Sequence, residues 1–515
     1  MSFVSRSRSA LLGTVSSQAF TIIGMLVSIV STPLMVRYLD KEEYGLSILF
    51  FQVIGYLALF DFGFGPAVIQ QFALHRGDDE HNQLMINRIM STGVYAFLAL
   101  GLLVSLIGFF CAPFVPGMYH LRADLAEVAV PIVFTLSVVM GAQFLQRGLG
   151  GIFYAHHRQT LIGTTSFIVN ISGTILSIVL LSQGVGLWAF VYSNIFQVFT
   201  TLLVQVILLR RYYPKLKIAR IHFDKPLLKL LFSNGRFMFL HGLATQIILN
   251  TDRLVIGKVV SLAAVTIFSI TVRIPEVGLS LLSRVTENAT PAVMEIVTHE
   301  SSDRAREQYR RVLLLTSTLG TLAFWLILCF NQWFITLWVG PSFFASNLVL
   351  SLALVLMVQQ TIVRSMSFFL YAKGNSRQLS LMSLFEAGLN IALSVFLGQQ
   401  IGLPGVLVGT LIASSLTSSW YTPYLLKKYL AIPLHDSWSS ILVPAAGISV
   451  AGGVVYMFVK WMQVVLPNTV LVFGLLGCLA GVLLAGFTWL MFLRHPFGPY
   501  VPARLQRILL VVPSS

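Results

Sequence analysis

Residues 266–291 read TIFSITVRIPEVGLSLLSRVTENATP. As a helix this stretch can cross a bilayer, for which about 20 residues suffice. Yet it carries four full charges, Arg273, Glu276, Arg284 and Glu287. At about 100° per residue, these fall with Thr266, Ser269 and Ser280 within an arc of roughly 100°. One charged stripe therefore runs along an otherwise apolar helix. A charge at the bilayer centre costs about 2.5–3.5 kcal/mol even on the mildest scale. Lipid cannot face the stripe, so it must face other protein or a water-filled path.

The rest of the chain makes this stretch one span among many. Its 515 residues are 56% hydrophobic and only 10% charged, and the mean hydropathy is +0.82. An ordinary soluble domain is about 25% charged. Apolar runs recur at 10–36, 46–66, 89–112, 128–152, 160–182, 186–209, 236–257, 264–291, 312–334, 346–371, 378–398, 404–426, 440–462 and 469–493. The pattern predicts an all-α polytopic membrane protein with about 14 transmembrane helices. Cys111, Cys329 and Cys478 lie far apart inside apolar runs and offer neither a disulfide framework nor metal spacing.

The net charge of +15 has a topological reading. With fourteen spans, about 24 Lys and Arg fall on the side of the N-terminus and about five on the other. Arg210, Arg211, Lys215, Lys217, Arg220, Lys225 and Lys229 crowd one loop. By the positive-inside rule both termini are cytoplasmic, and the basic character needs no nucleic-acid partner. The loop 210–235 is expected to hold a short interfacial helix, capped by Asp224, started by Pro226, with Leu227, Leu228, Leu230, Leu231 and Phe232 on the membrane surface.

The two halves echo each other. Gln143, Arg147, Tyr154 and Ala155 recur as Gln360, Arg364, Tyr371 and Ala372, each 217 positions on. Arg158-Gln159 matches Arg377-Gln378, Asn170-Ile171 matches Asn390-Ile391, and Gly186-Leu187 matches Gly402-Leu403. Chance matches are common in apolar sequence, but an ungapped polar tetrad with ordered echoes points to duplication. Six spans per repeat give both the same orientation. The expected domains are an N-terminal six-helix lobe at 1–209, a cytoplasmic linker at 210–235, a pseudo-symmetric C-terminal six-helix lobe at 236–426, and two extra helices with a tail at 427–515. Two such lobes around a central cavity suggest alternating access.

The candidate residues follow from that symmetry. Arg147 and Arg364 have no acid within one turn of their own helices and read either as forks for an anion or as interhelical salt bridges or hydrogen bonds to helix-end carbonyls. Gln143 and Tyr154, with Gln360 and Tyr371, share their stripes. Asp252 points about 100° away from Arg253; either Asp252 bridges to a neighbouring helix or Arg253 joins that anion site. Arg273 with Glu276, and Arg284 with Glu287, either neutralise each other or take partners on other helices. Glu386 is either a proton carrier or a hydrogen-bonded structural acid. The charges inside spans nearly cancel, so an anion site must come from local arrangement. Glu276, Glu287, Glu386 and Asp252 are the candidates for coupling or gating. No nucleotide loop, nucleophile elbow or zinc spacing appears. No enzyme activity, catalytic residue, metal or cofactor is expected.

Several stretches carry a resemblance. They are Pro33-Leu34 with Arg37-Tyr38-Leu39 and Glu43-Tyr44-Gly45; Asp61-Phe62-Gly63-Phe64-Gly65; Thr251 to Gly257; Ser269 to Pro275; Tyr371-Ala372-Lys373-Gly374-Asn375; and Gly402-Leu403-Pro404-Gly405. In these the chain resembles the polysaccharide flippases of the multidrug/oligosaccharidyl-lipid/polysaccharide exporter superfamily. The resemblance implies translocation of a polyprenyl-pyrophosphate-linked oligosaccharide across the cytoplasmic membrane for O-antigen, capsule or exopolysaccharide synthesis. It implies arginines in a central lumen for the pyrophosphate-sugar head, here Arg147, Arg253, Arg273, Arg284 and Arg364. Membrane lipids, a polysaccharide polymerase and glycosyltransferases are the implied partners. The alternative is an ion-coupled multidrug or organic cation exporter of the same superfamily, although unpaired arginines would disfavour cationic cargo.

Overall fold

The computed structural model describes residues 3–75, 79–156, 158–288, 290–299, 301–374, 376–466, 469–493 and 496. Among these residues the elements are helices and single helical turns, with no strand. Twelve described helices are long and apolar enough to cross a membrane, and one bent pair raises this to 13. The expected span at 236–257 falls short of that apolarity, because Gln246, Asn250, Asp252 and Arg253 crowd it. The chain forms two compact units, Met1–Val265 and Thr266–Ser515. The helix carrying 236–257 thus counts with the first unit, whereas the sequence placed it in the second lobe.

The first unit contains α1 (Phe3–Tyr38), α2 (Lys41–Leu57), α3 (Phe64–Leu74), α4 (Glu80–Cys111), α5 (Val115–Met118), α6 (Ala123–Ala155), α7 (Gln159–Ser182), α8 (Trp188–Tyr212) and α9 (Lys225–Val259). A reciprocal cap starts α2. Asp40 Oδ1 accepts from the Glu42 and Glu43 N–H groups at 2.8 Å, and Glu43 Oε2 accepts from the Asp40 N–H at 2.9 Å. Partial burial would raise the Asp40 pKa, but these N–H donors and Arg122 at 2.9 Å outweigh it and hold the carboxyl below its usual range.

The α4 and α6 helices cross in backbone contact. A Cβ on Gly101 would lie 2.4 Å from the Gly141 carbonyl oxygen, and one on Gly141 would lie 2.6 Å from that of Gly101. Beside this crossing Phe64, Phe72, Phe97, Phe144 and Phe153 are fully buried, and Phe64 meets Phe97 edge-on at 5.1 Å.

The end of the linker forms no separate short helix but the start of α9. The linker's extended part lies along α4, whose buried polar residues take up the backbone donors. Asn87 Oδ1 accepts from Lys217 N–H at 3.0 Å, Ser91 Oγ from Ala219 N–H at 3.2 Å, and Thr92 Oγ1 from Asp224 N–H at 2.9 Å. Asp224 then caps α9 as expected, with its side chain accepting from Leu227 N–H. The helix continues unbroken for 35 residues. Leu227 and Leu231 are buried in the first unit's core with Phe232 against it, because that aromatic cluster offers a drier site than the membrane surface.

The second unit begins within α10 (Leu262–Thr271) and continues with α11 (Arg273–Asn288), α12 (Thr290–His299), α13 (Ser302–Trp338), α14 (Asn347–Ala372), α15 (Ser376–Ile401), α16 (Leu403–Leu416), α17 (Ser418–Leu430), α18 (Leu434–Val465) and α19 (Val470–Thr488). The charged stretch of the opening is therefore not one straight helix. It bends by 50° between α10 and α11. Pro275 lacks an N–H and cannot bond the Thr271 carbonyl four residues back. Asn331 Nδ2 donates to that carbonyl instead, at 2.9 Å. The pair α15 and α16 packs at backbone distance, since a Cβ on Gly409 would lie 2.6 Å from Ser394 N. Helices α18 and α19 pack on α13 around buried Cys329, Trp333, Val459 and Leu476.

The crossing of α4 and α6 gives a direct test. Gly141→Val should lower thermal stability in detergent by about 1–3 kcal/mol through overpacking, whereas Gly117→Val, with nothing within 4 Å, should leave the melting temperature unchanged.

Candidate functional site

Two clusters of intramembrane charge emerge, one in each unit. In the first unit the expected span 46–66 is interrupted. After α2 the chain makes one tight turn at Ala58–Asp61. Phe62 and Gly63 then take left-handed conformations, with φ of 49° and 73°, before α3 begins. Asp61 Oδ1 accepts from the Gly63 N–H at 2.9 Å. Arg147, arriving from α6, donates from Nη1 to Asp61 Oδ2 at 2.8 Å and to the Ala58 carbonyl at 2.9 Å. Its guanidinium also stands over the Phe144 ring at 5.3 Å. The sequence saw no acid for Arg147 because it searched one helix. The partner lies 86 residues earlier, in Asp61-Phe62-Gly63.

Gln143 shares the α6 stripe and is half-buried, while Tyr154 is 45% exposed. On α9, Asp252 and Arg253 are 9% and 8% exposed, and both engage other groups. Their neighbour Thr251 bonds the Tyr56 hydroxyl of α2. This contact ties α9 to the first unit.

In the second unit α11 and α14 face each other through polar side chains. Arg364 Nη1 donates to Ser283 Oγ at 3.3 Å, and Thr286 and Ser365 share a hydrogen bond at 3.0 Å. Arg284 and Glu287 form the i,i+3 pair, at 3.3 Å. Glu287 also acts electrostatically on Arg364. Gln360 lies one turn from Arg364, and its Nε2 is buried with no hydrogen-bond partner. Tyr371 borders the apolar cluster around buried Tyr309 and Phe369. Arg273 and Glu276, at the start of α11, both make contacts. The structure thus joins Arg364, Ser283, Arg284 and Glu287 in one patch. Ser283 had no signal in the sequence beyond lying one residue before Arg284.

Glu386 belongs elsewhere. It is 3% exposed and hydrogen-bonds the hydroxyls of Ser414, Thr417 and Ser418 and the Ser418 backbone. These residues span the break at Thr417 between α16 and α17, where φ and ψ are −122° and −97°. Gln359 Nε2 donates to Ser415 Oγ at 3.1 Å and Ser419 Oγ at 2.9 Å across the same break. The acid occupies the N-terminus of α17, where the helix dipole favours negative charge.

Chemically Arg147 and Arg364 differ. Arg147 is held by a carboxylate, so its charge is largely answered. Arg364 has five N–H donors and leans on a neutral hydroxyl. A guanidinium in that setting suits a phosphate oxygen, since charge-assisted bonds to phosphate are about twice as strong as neutral ones.

One expectation separates the Arg147 arrangement from a surface ion pair. Asp61→Asn should destabilise the protein by about 1–3 kcal/mol, because it leaves a cation unanswered inside the membrane. Adding Arg147→Gln should restore part of that loss. Strictly additive melting-temperature changes in the double variant would show that the two groups do not act together.

Residues 34–348 match the family described as Polysaccharide biosynthesis protein. The uncharacterized membrane protein EpsK of Bacillus subtilis (strain 168) is 23% identical over 447 residues, which cover 82% of this chain and 84% of that protein. The lipid II flippase MurJ, in an inward closed conformation, superposes with a TM-score of 0.70 at 14% identity, covering 93% of this chain and 99% of MurJ. An inward-facing multidrug resistance MATE family transporter superposes with a TM-score of 0.62 at 15% identity, covering 85% of this chain and 96% of its own. The chain belongs to the polysaccharide biosynthesis protein family and has the fold of the multidrug/oligosaccharidyl-lipid/polysaccharide exporter superfamily.

Proposed function

We propose that this transporter moves a polyprenyl-pyrophosphate-linked oligosaccharide across the cytoplasmic membrane by alternating access, with both termini in the cytoplasm. The observation that carries this reading is Arg364. It is a guanidinium inside a membrane helix whose bonded partner, Ser283, is neutral. Permanently charged and poorly hydrated, guanidinium matches the paired oxygens of a phosphate. Gln360 Nε2, a buried donor without a partner one turn away, suits a second phosphate oxygen or a sugar hydroxyl. Arg284 and Glu287 beside it form a pair that can open to admit an anion. A cationic cargo would meet two arginines against one glutamate here, which disfavours the drug-exporter alternative.

Arg147 has a different duty in this reading. It braces the interruption at Ala58–Gly63, while Thr251 ties α9 to Tyr56 of α2. The fold shared with MurJ, itself described as a lipid II flippase, supports a lipid-linked cargo. The duplication of six spans supports two homologous repeats, and the excess of Lys and Arg on one side supports the orientation. Polymerase and glycosyltransferase partners follow only from the class of substrate.

Arg364→Ala should reduce transport about 10–100-fold, the worth of one charge-assisted hydrogen bond, and Arg364→Lys should retain part of the activity. The readout is the amount of lipid-linked saccharide on the cytoplasmic leaflet of cells that lack the chromosomal copy and carry the variant. Unchanged levels in the Arg364→Ala strain would remove this residue from the path.

A further inference from the structure

A cavity of the second unit shares no lining residue with the Arg364 patch. It has a volume of about 380 Å³ and sits between α13, α18 and the residues that follow α19. Arg310 and Arg311 line one end, with Ser439 and Ser440 opposite them. Leu314, Val443 and Phe492 form an apolar trough below. The ring of Phe492 packs on α18, where a Cβ on Gly447 would come within 2.6 Å of its Cζ.

The walls are fixed at a common height. Arg306 forms a two-pronged bond with Asp436, one arm at 3.1 Å. The hydroxyls of Tyr309 and Ser437 meet at 2.7 Å, and Ser317 Oγ donates to the Ser440 carbonyl at 2.7 Å. At that height both helices change character together. On α13 the polar run Ser302 to Arg311 gives way to Val312-Leu313-Leu314-Leu315, and on α18 Asp436 to Ser440 gives way to Ile441-Leu442-Val443. Leu442 and Val443 are 57% and 61% exposed, so the trough opens toward lipid. The cavity therefore straddles the boundary between headgroups and acyl chains. Arg304, Arg306, Arg310 and Arg311 mark this end as cytoplasmic by the positive-inside rule.

The charge of the lining is specific. Arg311 is bridged to Glu307, which also lines the cavity. Two arginines against one glutamate leave one net positive charge, the complement of a single phosphodiester. The Ser440 hydroxyl can donate to its free oxygens. The apolar trough accepts the first carbons of a chain, and basic pockets between spans at the cytoplasmic side suit anionic lipid headgroups. We infer that this cavity binds an anionic glycerophospholipid of the cytoplasmic leaflet, with its phosphate on Arg310 and Arg311 and an acyl chain along Leu314, Val443 and Phe492. The site shares no residue with the Arg364 patch and does not depend on the cargo.

The test uses the full-length purified protein in a neutral detergent, with thermal unfolding as the readout. Dioctanoyl phosphatidylglycerol should raise the melting temperature saturably, whereas dioctanoyl phosphatidylcholine and inorganic phosphate should not. Arg310→Ala/Arg311→Ala should weaken the apparent affinity by roughly thirty-fold, the combined worth of two basic residues at an anionic surface. Lys215→Ala/Lys217→Ala, which removes the same charge from the first unit, should leave it unchanged. Val443→Trp fills the trough from an exposed position without disturbing the arginines and should also abolish the response. An equal response to the zwitterionic lipid, or to phosphate alone, would overturn the proposal. So would wild-type affinity in either the arginine or the Val443→Trp variant.

Discussion

A backbone that leaves its helix inside a bilayer finds no water to bond, and each unsatisfied group costs several kcal/mol. At three places among the described residues a side chain from another helix bonds the backbone at such a break. Arg147 bonds the Ala58 carbonyl while Asp61 takes the Gly63 N–H. Asn331 takes the Thr271 carbonyl released by Pro275. Glu386 sits at the Ser418 backbone where α17 restarts. Much of the polar content that made the spans look functional serves this need.

The same constraint explains why Arg147 and Arg364, which the sequence pairs as repeat counterparts, differ in chemistry. Both arginines of the repeat come from the same sequence position and enter a helix–helix contact. In the first unit the contacted element is a turn with an acid, and the arginine is consumed as a brace. In the second, the contacted element is the regular helix α11, whose carbonyls are bonded internally, and the arginine hydrogen-bonds Ser283 with Glu287 acting on it through space. A duplicated residue is free to change duty where the backbone beside it has no need of it.

Most of the architecture was legible in the sequence, since a lipid solvent demands long apolar helices and periodicity reports them directly. The cap at Asp224 and the pair Arg284–Glu287 were legible too, being local in sequence. What was not legible lies between helices. Asp61 meets Arg147 from 86 residues away, and no spacing rule encodes that. The linker's Leu227 and Leu231 read as surface anchors because their burial depends on Phe64 and Phe72 from a distant segment. The 50° bend broke a stripe that had been drawn on a straight helix. Pro275 was visible in that stretch, but its consequence depended on Asn331 being in place to accept the change.

The central claim is that Arg364 grips an anionic head while Arg147 holds the fold. Direct binding of farnesyl pyrophosphate to the purified protein tests it, by comparing wild type, Arg364→Ala and the paired variant Asp61→Asn/Arg147→Gln. The account predicts a loss of affinity of about 10–100-fold in Arg364→Ala and near wild-type binding in the paired variant. Wild-type binding by Arg364→Ala, or an equal loss in a folded paired variant, would contradict it.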